Sequence, residues 1–85
     1  MEVGLIKYYL TSVDGKDKIY NFVVESENKM EAELFTSLKV FALKESGKLQ
    51  DVSDTDVLMA RTKKISRKKY DEIFDSVFYL GKYSV

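Results

Sequence analysis

Between Arg61 and Lys69 the chain reads Arg-Thr-Lys-Lys-Ile-Ser-Arg-Lys-Lys, so Arg61, Lys63, Lys64, Arg67, Lys68 and Lys69 fall within one short segment that holds no carboxylate. Cations at this density bind phosphate groups or an acidic protein surface. Ser66 is a good N-cap, which puts Arg67, Lys68 and Lys69 in the first turn of a helix. The dipole and free N–H groups of that turn favour anions, so each cation is mismatched by roughly 0.3–1 kcal/mol. A bound anion would relieve the mismatch. Asp71, Glu72 and the acidic stretch Asp51 to Asp56 would relieve it too, and the segment would then be a solvated charge run, cheap because salt screens it.

Carboxylates offer less. Asp51, Asp54 and Asp56 supply the oxygens a hard cation wants, but their spacing and the lack of a glycine do not match a calcium loop, so no metal site is assigned. Asp54 with Asp56, or Asp71 with Asp75, are pairs of the type used in acid–base chemistry. Nothing else in the sequence converges on them, and there is no glycine-rich phosphate loop or nucleophile motif. Histidine and cysteine are both absent, which removes the commonest acid–base group near neutral pH, the commonest zinc ligands and any disulfide. The expectation is a protein that is not an enzyme, with no catalytic residues, no cofactor and no small-molecule substrate.

The charges balance at 14 basic and 14 acidic side chains, so no global field draws the molecule to nucleic acid or anionic lipid, and any electrostatic function is local. The 45% hydrophobic and 13% aromatic content is that of a folded chain rather than a disordered one. At 85 residues it is read as a single α+β domain spanning 1–85. No apolar run is long enough to span a membrane, and Met1-Glu2-Val3-Gly4 lacks the features of a signal peptide, so a native start and a cytoplasmic location with no membrane partner are expected.

Two strands are predicted at Val3 to Thr11 and Lys18 to Glu25, from their β-branched and aromatic content, joined through Asp14-Gly15, where the glycine takes a positive φ. Loop length sets which side chains share a face. A two-residue loop groups Ile6, Tyr8 and Leu10 with Ile19, Asn21 and Val23. A three-residue loop groups them instead with Tyr20, Phe22 and Val24, and this wholly apolar face is the preferred register.

Met30, Leu34, Leu38 and Phe41, flanked by Phe35 and Ala42, then recur at helical spacing. Asn28 caps this helix and Gly47 ends it, predicting Lys29 to Ser46. Lys48 to Asp56 reads as a loop or at most a short edge strand, and Val57 to Lys64 as a strand. A second helix follows Ser66, with Ile65 and Tyr70 as a hydrophobic staple, an apolar stripe of Tyr70, Ile73, Phe74, Val77 and Leu80, and Gly81 at its end.

The predicted order is β-β-α-β-α: a sheet of three strands, or four at most, with both helices on one face. That leaves Leu5, Tyr9, Ile19 and Val23 on the other face near solvent, an apolar patch that marks an interface, with a homodimer as the commonest way to cover one, unless the tail Lys82 to Val85 folds over it. The expected function is a non-enzymatic interaction module that binds a protein partner and self-associates, of a size and composition suited to a phage or mobile-element accessory protein modulating a host complex. The alternative is a nucleic-acid-binding accessory protein that contacts phosphates through segment 61–69, with Tyr9 stacking on a base.

Overall fold

The chain begins its structure with a hairpin: β1, Lys7–Asp14, runs antiparallel to β2, Ile19–Ser26. The computed structural model describes residues 5–83, so Val3 and Gly4 of the expected first strand, and Ser84 and Val85 of the tail, lie outside the described residues. The turn holds Gly15 to Lys18, longer than either expected loop, and Leu10 stands opposite Val23 and Asp14 opposite Ile19. The preferred face of Ile6, Tyr8 and Leu10 with Tyr20, Phe22 and Val24 is therefore not formed. Tyr8 and Leu10 share a face with Asn21 and Val23, while Tyr9, Thr11 and Val13 share the other with Tyr20, Phe22 and Val24.

Both strands are apolar on both sides, so alternation does not select the register and the turn does. The Gly15 N–H donates to the Lys18 carbonyl at 2.8 Å. A Cβ at Gly15 would lie 2.7 Å from both Asp51 Oδ2 and the Tyr20 ring, so close approach, rather than a positive φ, requires glycine here.

Helix α1, Lys29–Glu45, is capped as expected: Asn28 Oδ1 accepts from the Glu31 N–H at 2.9 Å, and Gly47 takes φ +81° beyond the other end. Its buried face is not the predicted one. Ala32, Thr36 and Val40 face the sheet with Phe35 and Leu43 beside them, whereas Met30, Leu34 and Leu38 are exposed. Small side chains at four-residue spacing let the helix settle close onto Tyr9, Val13, Phe22 and Val24, which the larger stripe would hold at a distance.

Where a strand was expected from Val57, a short helix α2, Asp54–Leu58, forms first. Ser53 and Asp56 cap it reciprocally: the Ser53 N–H donates to Asp56 Oδ2 at 2.9 Å and the Asp56 N–H to Ser53 Oγ at 3.0 Å. Strand β3, Arg61–Ile65, then pairs antiparallel with β1. Helix α3, Arg67–Ile73, ends earlier than predicted, in a 3-10 turn at Phe74–Ser76, and Phe78–Lys82 forms β4. This fourth strand runs parallel to β2, with Phe78 beside Phe22 and the Tyr83 N–H donating to the Glu25 carbonyl at 2.8 Å. Strand pairing satisfies the open edge of β2 and seats Phe78 on Phe22, which a continued helix would not do. A bulge opposite Val23 and Val24 is accommodated by Gly81 at φ +120°.

The molecule is thus a small α+β fold, a mixed sheet in the order β3-β1-β2-β4 with helices packed on it. The helices do not share one face. Helix α1 and α2 cover Val13 and Phe22, while Tyr70 and Ile73 of α3, with Val77, cover Leu10, Val23 and Ile65 on the opposite side. Ile65 and Tyr70 meet in that cluster, as a staple should. Among the described residues no helix is long and apolar enough to cross a membrane.

Candidate functional site

The basic segment is divided by the strand it sits on. In β3, Arg61 and Lys63 pair with Ser12 and Leu10 and so point to the α3 side, while Lys64, opposite Tyr9, points to the α1 side. Lys69 reaches back from α3, and with Lys63 it borders a depression of about 350 Å³ floored by Leu10, Ser12 and Asn21. Arg61 lines an adjoining one of about 210 Å³. The floor is mixed, with Ile73 and Val77 beside it, and its polar part is ordered, since Ser12 Oγ donates to Asn21 Oδ1 at 2.8 Å.

Lys64 and Arg67 belong to a second depression, with Lys7 and Tyr8. Lys68 lines neither. The six cations expected to act together therefore form one group of Arg61, Lys63 and Lys69 and another of Lys64 and Arg67.

The arginines are engaged. Arg61 pairs with Asp14 at 3.4 Å, and Arg67 with Asp71 at 3.3 Å, its guanidinium carbon 5.8 Å from the centre of the Tyr8 ring. The helix-start contribution is slight: α3 is only seven residues long, and Ser66 Oγ already accepts the Lys69 N–H at 3.0 Å. The predicted dipole mismatch is eased by shortness, by the cap and by Asp71.

The expected interface of Leu5, Tyr9, Ile19 and Val23 does not exist as one patch. Tyr9 is 5% exposed beneath α1 and Val23 is 0% exposed beneath α3, on opposite faces of the sheet; Leu5 and Ile19 are exposed. The register and the arrival of α3 on the second face are the reasons. Burial also removes Tyr9 as a stacking partner for a base. Of the tail, the described residues do not cover that face: Lys82 lies in β4, and the Tyr83 ring packs 5.4 Å from Phe35 of α1.

The acidic residues between α1 and β3 have structural partners. Asp54 pairs with Lys44 at 2.9 Å, Asp56 caps α2, and Asp51 Oδ1 accepts the Tyr20 hydroxyl. Hydrogen bonds from the Ser53 N–H and hydroxyl hold the Asp56 carboxyl below the ordinary carboxylate range. No cluster of carboxylates suited to a metal occurs among the described residues.

Two further surfaces emerge only in the folded chain. One is the outside of α1, where Met30 is 78%, Leu34 58% and Leu38 61% exposed, with Leu58 and Met59 exposed on and after α2. Its signal is in the sequence, because α1 carries two apolar stripes and only one can face the sheet, and size alone points to the larger one. The other is a cavity at the β2–β4 end of the sheet, lined by Tyr20, Phe22 and Phe78. It required knowing that Phe78 lies in a strand beside Phe22.

Comparison of the chain with family models, curated proteins and solved structures finds no match, which leaves its own geometry to indicate a function.

Proposed function

We propose that the protein is a non-enzymatic interaction module that self-associates through the outer face of α1. The observation that carries this is the exposed ridge of Met30, Leu34 and Leu38, spaced four residues apart on a well-capped helix. Contiguous apolar surface of this kind marks a contact site, and a symmetric dimer is the commonest way to cover it. Rows at four-residue spacing pack against their own kind on a second helix.

Charge favours a second copy in antiparallel orientation. The first half of the helix region carries Glu27, Lys29, Glu31 and Glu33, net negative; the second carries Lys39, Glu45 and Lys48, net positive, with Lys44 already paired to Asp54. An antiparallel α1–α1 contact sets each acidic half beside a basic half, whereas a parallel one opposes like charges. Leu58 and Met59 would extend the apolar contact. Binding to a host complex, as an accessory protein would do, uses the same ridge.

Sedimentation over a wide concentration series tests this. A concentration-dependent dimer that Leu34→Glu with Leu38→Glu converts to monomer, with the thermal midpoint of the monomer unchanged, is expected. A strict monomer at millimolar concentration overturns the reading.

A second reading is favoured by the convergence of Arg61, Lys63 and Lys69 over the Ser12–Asn21 floor. In it the protein contacts nucleic-acid phosphates through this group. Binding must then fall steeply with salt, and Lys63→Gln with Lys69→Gln must reduce both affinity and the salt slope. Weak, salt-insensitive binding rejects it.

A further inference from the structure

The β2–β4 end of the sheet carries a concave site used by neither the α1 ridge nor the basic group. Its aromatic wall is a triangle of rings. Phe22 and Phe78 have centroids 5.5 Å apart, Tyr20 and Phe78 6.4 Å, and Tyr20 and Phe22 6.5 Å. Leu43 near the end of α1 and Leu49 in the following loop close the other side, around a volume of about 350 Å³. Phe22 at the floor is 1% exposed and Phe78 at the wall 52%, so the site is anchored in the core yet open. Volumes of this order lie at the small end of ligand sites, roughly 300–1,000 Å³.

The rim is cationic. Lys18 and Lys48 line it, and Lys18 Nζ lies 4.8 Å from the centre of the Tyr20 ring. Among the described residues neither lysine forms a salt bridge. Asp51 does not line the cavity and is taken up by the Tyr20 hydroxyl. An apolar, ring-lined floor beneath two free ammonium groups matches a ligand with a flat apolar body and one negative end. Inorganic phosphate would leave the floor unfilled, and a neutral hydrocarbon would leave the rim unused.

We propose that this cavity binds a small aromatic carboxylate, its ring packed against Tyr20 and Phe78 above the buried Phe22 and its carboxylate paired with Lys18 and Lys48. Ring separations of 4.5–7 Å are those at which aromatic groups attract one another, and the existing wall is already built at that spacing. None of the cavity's residues belongs to the Met30, Leu34 and Leu38 ridge; Lys48 alone is shared with the self-association reading, where it adds to the positive half of the α1 region.

The test is a titration of the full chain with 2-naphthoate and, in parallel, its neutral amide, followed by backbone amide chemical shifts. Saturable shifts confined to residues 18–22, 43–49 and 78 are expected, with the neutral amide at least about fivefold weaker, as an exposed charge pair allows. Lys18→Gln with Lys48→Gln changes only exposed side chains and should equalise the two compounds while keeping the amide spectrum of a folded protein. Shifts that scatter, that fall on the outer face of α1, or that are equal for acid and amide in the wild-type chain overturn the proposal.

Discussion

The Tyr20 hydroxyl donates to Asp51 Oδ1 at 2.6 Å, joining β2 to the loop that follows α1. A second bond, from the Lys16 N–H to the Asp51 carbonyl at 2.9 Å, ties the hairpin turn to the same loop. Because the bond stabilises charged Asp51 and neutral Tyr20, it holds the Asp51 carboxyl below its ordinary range and raises the Tyr20 phenol above its own.

The pH dependence follows from those directions. Asp51 has a lowered folded pKa, so its contribution is complete above the unfolded value, about 4, and is lost as pH falls through the folded one. Tyr20 has a raised folded pKa, so the unfolded chain ionises first near pH ~10 and stability declines as pH rises through the folded value. Denaturant unfolding of Tyr20→Phe across pH should show both losses reduced relative to wild type. An unchanged pH profile would mean the bond is not maintained in solution.

Tyr79 supplies a spectroscopic counterpart. Its ring is half-exposed, but burial of the hydroxyl and its bond to Glu25 push its pKa up to about 12. Titration of tyrosinate absorbance should show a late component that disappears in Tyr79→Phe and moves to lower pH in Glu25→Gln.

Gly15 should resist substitution. Its Cβ would meet Asp51 Oδ2 and the Tyr20 ring at 2.7 Å and the Lys18 carbonyl at 2.9 Å. Gly15→Ala is expected to cost about 1–3 kcal/mol of unfolding free energy, typical of overpacking. A neutral result would show that the turn relaxes freely.

The two faces of α1 should respond oppositely to truncation. Val40→Ala removes a side chain that is 0% exposed and should destabilise by roughly 1.5–3 kcal/mol, while Leu38→Ala should stay within about 0.5 kcal/mol of wild type in dilute solution. Thr36, buried on the same face as Val40, has a hydroxyl with no hydrogen-bond partner among the described residues, so Thr36→Val should stabilise by about 1 kcal/mol. Equal losses at Val40 and Leu38 would place the core elsewhere.

Local signals in the sequence determined a good part of this structure. The α+β class, the hairpin, the Asn28 cap and Gly47 stop of α1, and the Ser66 start with its Ile65–Tyr70 staple all depend on interactions within a few residues, and each is present. The basic segment was legible as residues, though not as a shape. Tertiary structure decided which of two apolar stripes of α1 faces inward, because small side chains matter only once there is a sheet to approach. It also decided the hairpin register, which depends on Asp51 of a distant loop closing over Gly15 together with Tyr20 of β2. The same holds for Phe78–Lys82: helical spacing and strand composition coexist there, and pairing with β2 selects the strand. Arg61, Lys63 and Lys69 come together, and Lys64 turns away, only because β3 alternates its side chains beside β1, a consequence of pairing that no run of charges can express.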